Sequence, residues 1–314
     1  MKIVNKIMTV LLSLCLMFVI MLICLLSSVP RFLAPQTYHE ALKKADAYAA
    51  IQESIQDNLM DVMLFNNIEM SVIEDFISAD EVKQFVSSDV DAMLSWLKGS
   101  GQMIGALDLS AYESRFDERI ANFFRDHQYY LDDEAKADVE VMKENVLQII
   151  KGYLRLFDFE KLMVSKPLMK VTNLIGMIDS KFIIGGLVAV ALALVGLIVA
   201  CAPRTMRRRS STSDKPKKSS RRKSRKKIED GLLWSGYGIL AGGLIIFIIF
   251  FSGVQSGFYH YTAIQVVYLK ECIAILMDDW FTSLYLYGLL AAGVGILFII
   301  PYWWRLYKKY MMNE

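Results

Sequence analysis

The chain contains 314 residues, of which 54% are hydrophobic, and its 35 basic and 33 acidic side chains nearly cancel. The charges are segregated, because residues 203–228 contain thirteen basic side chains and one acidic one, whereas residues 36–180 contain fourteen basic and twenty-six acidic ones. Long uncharged apolar segments occupy much of the rest, which excludes a soluble globular fold, a disordered chain and a disulfide scaffold.

Four segments are long and apolar enough to cross a bilayer as helices, since a hydrocarbon core of about 30 Å requires roughly 20 apolar residues. They are residues 7–29, 182–202, 232–254 and 284–304, and none contains Asp, Glu, Lys, Arg or His. The first follows Lys2 and Lys6 like a signal peptide, but it is too long and lacks a small-x-small cleavage site, which favours a retained anchor. The sequence therefore predicts an all-α integral membrane protein with four transmembrane helices.

Lysine and arginine residues predict the orientation of these spans, because they accumulate in short cytoplasmic connections. The basic connections would all lie on the same side, and they are residues 1–6, 203–231 and 305–314. Both termini and the connection between the second and third spans are therefore expected in the cytoplasm. Residues 30–181 and 255–283 are expected to face outward.

Residues 30–181 are predicted to form an acidic helical-bundle domain outside the membrane. The patterns SADE at residues 78–81 and SAYE at residues 110–113 match capping boxes, so a helix is expected after each serine. Further helices are expected over residues 133–157 and over residues 41–65, the latter extending from the first span. The acidic surface either attracts cationic ligands or metal ions, or is a solvated face that keeps the domain soluble.

The segment 77–120 contains SADEVKQFV at residues 78–86, WLKG at residues 96–99 and LDLS at residues 107–110. It resembles the helical ectodomains of uncharacterised bacterial multi-pass membrane proteins over about a seventh of the chain. The resemblance implies a bacterial source and no activity. The outward segments also lack a pair of cysteines and an Asn-x-Ser/Thr site, which is typical of a bacterial plasma membrane.

Small residues predict where spans pack, because helices in lipid associate through close backbone approach. The predicted packing positions are Gly185, Ala189, Ala193 and Gly196 in the second span, Gly238 and Gly242 in the third, and Gly288, Ala292 and Gly295 in the fourth. We expect spans two to four to form a bundle with the bulkier first span at its periphery. An interface in a homo-oligomer is the alternative.

Residues 203–231 are predicted to be a disordered polybasic loop, because the segment is highly charged and of low complexity. It either fixes the topology alone or also binds anionic headgroups at the inner leaflet, where each basic residue contributes about 1 kcal/mol. Nucleic acid is disfavoured as a partner, because no aromatic residue accompanies the run. The predicted lipid contacts are Arg207, Arg208, Arg209, Arg221, Arg222, Lys223, Arg225, Lys226 and Lys227.

Residues 255–283 alternate apolar and charged residues and predict an amphipathic segment at the outer membrane surface or against the acidic domain. Asp278 and Asp279 within it either bind a cation or form a solvated pair. The three histidines are far apart in sequence, and the chain contains no recognisable catalytic, metal-binding or cofactor-binding motif. We therefore expect no enzymatic activity, metal or cofactor.

These features predict a non-enzymatic protein of the bacterial plasma membrane that acts as an envelope scaffold, assembly factor or signal relay. Its acidic domain would bind protein partners outside, and its polybasic loop would contact lipid inside. The alternative is a small transporter or channel subunit. That alternative is disfavoured because the spans contain none of the ionisable residues that usually line a transport path, although a helix broken at glycines 242–243 could coordinate an ion through its backbone.

Overall fold

The computed structural model describes residues 2–99, 107–130, 132–155, 172, 175, 181–202, 219–261, 264 and 266–311, and every regular element among them is helical. The α-helices are α1 Lys2–Phe32, α2 Pro35–Lys44, α3 Ala47–Phe65, α4 Ala79–Leu97, α5 Ser110–Asp126, α6 Asp133–Leu154, α7 Lys181–Cys201, α8 Ser219–Ser256 and α9 Val267–Met311. Short 3-10 helices lie at Met70–Val72 and Phe258–Tyr261. The predicted all-α fold, with four long apolar helices and a helical region between the first two, is confirmed.

The chain forms two compact units. The span unit comprises Met1–Phe32, Met177–Tyr261 and Met277–Glu314, and the acidic unit comprises Leu33–Gly176 and Thr262–Leu276. Helix α9 contributes to both, with its residues up to Leu276 in the acidic unit and the others in the span unit.

The span unit contains four helices that are long and apolar enough to cross a membrane. Their outward faces display large apolar side chains such as Phe18, Leu192 and Leu290, with 63%, 65% and 67% of their surface exposed. A protein in water would bury such side chains, whereas lipid solvates them. The protein is therefore a multi-pass membrane protein whose spans contact the bilayer.

The sequence predicted that the first span lies at the periphery, but in the structure this span contributes to the core of the span unit. Leu16 of α1 is fully buried in a cluster with Ala191 and Ile198 of α7 and Ile239 of α8. The prediction was wrong because the helix that approaches α1 supplies the small residues, so α1 itself needs none.

The acidic unit is built on apolar stripes of α3 to α6. Its fully buried side chains include Ile51, Leu59 and Met63 of α3, Phe116 of α5 and Val146 of α6. The buried apolar side chains of each helix recur mainly every four residues, which places them on one face of the helix. Burying these faces against one another supplies the stability that isolated helices lack in water.

One of the two predicted capping boxes is present. Ser78 Oγ accepts the Glu81 backbone N–H at 3.2 Å, and Glu81 Oε2 accepts the Ser78 N–H at 2.8 Å, so this box begins α4. At α5 the prediction was wrong, because Ser110 is the first helical residue and its N–H donates to Asp108 Oδ1 at 3.0 Å. Hydrogen bonds from Ser110 lower the pKa of Asp108.

Three predicted boundaries also differ from the structure. The expected helix over residues 41–65 is divided into α2 and α3 at Asp46, whose φ of 49° is left-handed. The apolar segment 284–304 is the later part of α9, which begins at Val267 without a break at 284. Residues 219–231 belong to α8 and are not disordered. Lysine and arginine are good helix formers, and extending an existing helix avoids a new nucleation step.

Candidate interaction surfaces

Helix α8 packs against α1 through the predicted Gly238 and Gly242. A Cβ atom added at Gly238 would lie 2.7 Å from the Ser13 carbonyl oxygen, and one at Gly242 would lie 2.8 Å from that of Met17. Ser13 Oγ also donates to the Trp234 carbonyl at 2.9 Å. The glycines therefore bring two backbones close enough for a side chain of one helix to bond the main chain of the other.

A second glycine seam of α8 faces α9. A Cβ added at Gly243 would lie 2.6 Å from the Gly288 carbonyl oxygen, and one at Gly295 would lie 2.9 Å from that of Gly236. Gly288 and Gly295 were predicted, whereas Gly236 and Gly243 were not. Their spacing of seven residues, two helical turns, is the signal that could have identified them.

The predicted stripe of α7 has no such partner within the described residues. Gly185, Ala189, Ala193 and Gly196 are all exposed, and a Cβ added at either glycine would meet nothing within 4 Å. Instead α7 packs through Ile198, which is fully buried, and through Val199, which contacts Gly231 of α8. The four predicted small residues therefore do not explain how α7 packs within the chain, whereas Ala191 does lie in the core cluster.

The polybasic segment is only partly described. Arg207, Arg208 and Arg209 lie outside the described residues, whereas Arg221, Arg222, Lys223, Arg225, Lys226 and Lys227 lie in the first turns of α8. The lipid contact of these nine residues stays a prediction.

Just beyond the basic residues, two acidic side chains of α8 bind α9. Arg305 Nη1 donates to Glu229 Oε2 at 2.9 Å, and Arg305 Nη2 donates to Asp230 Oδ1 at 2.8 Å. The Asp230 side chain is 8% exposed and that of Glu229 14%, so water screens these bonds weakly. The three residues form a clamp, which we call the Arg305 clamp, between α8 and α9.

In the acidic unit, two helix ends meet in a groove that the sequence did not reveal. After α3, Asn67 has a left-handed backbone, which allows the Ile68 N–H to donate to the Met63 carbonyl. After α5, Gln128 has the same conformation, and the Tyr129 N–H donates to the Phe124 carbonyl. The groove has a volume of about 260 Å³ and is lined by Glu69, Ser71, Val72, Arg119, Asn122, Phe123, Asp126 and His127. We call it the tip groove.

The polar groups of the tip groove include both hydrogen-bond donors and acceptors. His127 Nδ1 lies 2.9 Å from the Phe123 carbonyl oxygen and donates to it, and Nε2 lies 3.5 Å from Glu69 Oε1. Glu69 Oε2 accepts from Ser71 at 3.2 Å. The Arg119 guanidinium donates to the carbonyls of Val72, at 3.3 Å, and Glu74.

The two aspartates of the segment between the last spans have different surroundings. Asp278 Oδ1 accepts the Tyr259 hydroxyl at 2.8 Å, and burial together with this bond raises the pKa of Tyr259 to about 12. The Asp279 carbonyl accepts the Ser283 hydroxyl. Asp278 therefore anchors the short 3-10 helix after α8, and cation binding by the pair stays a prediction.

The described residues contain no group of three or more His, Cys, Asp or Glu side chains arranged to hold a metal ion. Helix α8 also continues through Gly242 and Gly243, so the backbone carbonyls there are not released for ion coordination as a broken helix would require.

Comparisons of the chain with protein-family models, with curated proteins and with solved structures find no match. The resemblance of residues 77–120 to bacterial ectodomains therefore stays a prediction. What the geometry provides is a multi-pass span unit with two glycine seams, joined in one chain to an acidic helical unit with a groove at its tip.

Proposed function

We propose that this protein is a non-enzymatic scaffold, assembly factor or signal relay of the bacterial plasma membrane. In this proposal the acidic unit lies outside the cell and binds a protein partner. The polybasic segment lies in the cytoplasm, where anionic headgroups attract it.

The observation that carries the proposal is the sharing of α9 between two separately packed units. The acidic unit has its own core of large buried side chains, as a domain that meets partners in water requires. The spans contain no Asp, Glu, Lys, Arg or His between residues 232–254 or 284–304. Since transport usually depends on such residues at membrane depth, a linking role fits the sequence better than transport.

The orientation can be tested by replacing the four native cysteines and introducing Asp133→Cys or Ser210→Cys. A membrane-impermeant maleimide added to intact cells should label the cysteine at 133 and spare the one at 210 until the membrane is opened. The reverse pattern would exclude an outward acidic unit.

The linking role can be tested by crosslinking intact cells and purifying the chain through an affinity tag. We expect specific protein partners that require the acidic unit. A purification without any partner, combined with ion or solute flux through the protein reconstituted in liposomes, would replace this proposal with transport.

A further inference from the structure

We propose that the end of α9 binds the phospholipid headgroup layer and anchors this helix at the membrane surface. The binding surface consists of five large side chains at and beyond the end of the fourth apolar segment, and we call it the aromatic face of α9. Its members are between 56% and 76% exposed, and they are Trp303, Trp304, Tyr307, Tyr310 and Met311. This anchor is independent of partner binding by the acidic unit.

The aromatic face occupies one side of the helix. At 3.6 residues per turn its five members fall within a sector of roughly 120°. Trp303 and Tyr307 flank Arg305 in sequence, and each projects about 160° away from it. Arg305 donates to Glu229 and Asp230 of α8. The Arg305 clamp therefore holds α9 with the aromatic face turned away from the two carboxylates.

The face begins where the charge-free segment ends, and it is continuous with the lipid-contacting surface of the span. That segment ends at residue 304, whereas α9 continues as a helix to Met311. Seven further residues extend a helix by about 10 Å. The headgroup layer on each side of the hydrocarbon core is roughly 5–8 Å thick. The extension is therefore about as long as this layer is thick.

The chemistry of the face suits the headgroup layer better than water or hydrocarbon. Tryptophan and tyrosine combine an apolar ring with a polar group, which is why both are enriched at membrane interfaces. The Trp304 and Tyr307 rings lie 6.3 Å apart, and Lys308 Nζ lies 5.6 Å from the Trp304 ring. Lys308 is exposed, so its ammonium can reach a lipid phosphate while its apolar stem stays beside the rings.

A second copy of the chain suits the face less well than lipid does. A two-fold contact through this surface would bring the Lys308 side chains of both copies together, and like charges oppose such a contact. A phosphate group instead neutralises the lysine. Because α9 also belongs to the acidic unit at its other end, binding of lipid here would fix the depth of the helix that both units share.

The native tryptophans provide the first test, with the full-length protein in nanodiscs of phosphatidylcholine. This lipid is brominated either just below the glycerol or near the end of the acyl chain, and bromine quenches tryptophan on contact. The variant Trp303→Phe, Trp304→Phe should lose at least about twofold more of the shallow quenching than of the deep quenching. Because the lipid has no net charge, attraction of the polybasic segment cannot produce this result. Equal losses at both depths, or no loss, would overturn the proposal.

A spin label tests the far end of the face. The four native cysteines are replaced, and Tyr310→Cys is labelled in discs that hold a single chain. A water-soluble nickel chelate should collide with this label about fivefold less often than with a label at Asp133→Cys, whose side chain is fully exposed. Equal collision rates would place residue 310 in water. Protection that appears only in discs with two chains would assign the face to a second copy. Either result would overturn the proposal.

Two tyrosine variants of the labelled protein separate the face from the rest of the helix end. Tyr307→Gln removes a ring of the face and should raise the nickel collision rate at residue 310 about threefold. Tyr302→Gln is the control, because the Tyr302 ring lies 4.8 Å from the Arg305 guanidinium and outside the face, and it should change the rate by less than about 1.5-fold. Circular dichroism establishes that both variants remain folded. Equal increases in the two variants would contradict an anchor formed by this face.

Discussion

In the acidic unit the fully buried side chains include Phe76, Phe116 and Met63, whereas in the span unit the helices approach most closely at glycines. The difference follows from the solvent around each unit. Water drives large apolar side chains into a core, because each square ångström of apolar surface removed from it stabilises the fold by about 25 cal/mol. Lipid gives no such drive, so close backbone approach must hold the spans together.

The two units also treat charge differently. In the acidic unit Lys143 lies within 4 Å of three carboxylates, those of Glu113, Asp117 and Glu140. The hydrogen bond to Glu140, together with the charge and hydrogen bond of Asp117, raises the pKa of its amine. Those carboxylates are half exposed or more. In the span unit the three charged side chains of the Arg305 clamp lie together, and none of them is more than 26% exposed.

The largest effect is expected from truncating the core of the acidic unit. Phe116→Ala should lower the free energy of unfolding by about 3–5 kcal/mol, because it removes a fully buried ring and leaves a cavity. The same substitution at the exposed Phe65 should change it by less than about 0.5 kcal/mol. Denaturant unfolding of the full chain in nanodiscs, followed by circular dichroism, measures both. Equal effects would mean that the acidic unit is not held together by its core.

The second effect tests the glycine seams, where adding a Cβ atom should lower the stability of the span unit. Gly243→Ala should destabilise the span unit by about 2–3 kcal/mol, because the new Cβ would lie 2.5 Å from the Ala292 nitrogen, which cannot move without its helix. Gly196→Ala is the matched control, since its Cβ meets nothing within 4 Å. Thermal unfolding in nanodiscs compares the two, and a control as damaging as Gly243→Ala would contradict the seam.

The seams show how far a sequence can predict the packing of spans. The spans themselves follow from uninterrupted apolar length. Gly238 and Gly242 lie against α1, and Gly288 and Gly295 lie against α8. A glycine shows that a backbone can be approached but not by which helix. The central place of α1 and the outward face of the α7 stripe therefore could not be predicted, because both depend on the partner.

The tip groove illustrates a different limit. The start of α4 was predictable because Ser78 and Glu81 are close in sequence and form a local motif. Glu69 and His127 are 58 positions apart, and they meet only because two left-handed turns end α3 and α5 nearby. A contact between distant segments has no local signature, so the groove required the structure.

The third effect concerns the Arg305 clamp. Arg305→Gln should destabilise the span unit by about 2 kcal/mol, because two weakly hydrated carboxylates lose charge-assisted bonds. Lys308→Gln removes the same charge from an exposed residue three positions later and should cost less than about 0.5 kcal/mol. Thermal unfolding at low and high salt measures both variants. If high salt removed most of the stability difference between wild type and Arg305→Gln, the clamp would not be buried.

The smallest effect is pH-dependent and belongs to the acidic unit, at the Glu81 carboxylate. Burial alone raises the pKa of Glu81, but hydrogen bonds from Arg115 and Ser78 outweigh burial and lower that pKa below its usual value. A lowered folded-state pKa stabilises the fold above the unfolded pKa, and this contribution is lost as pH falls through the folded value. Glu81→Gln should therefore cost about 1 kcal/mol at pH 7 and progressively less below about pH 4. Glu118→Gln changes an exposed carboxylate of α5 outside this capping box and is the control. Denaturant midpoints measured from pH 7 to pH 3 compare both variants with wild type, and a cost of Glu81→Gln that stays the same at every pH would contradict the prediction.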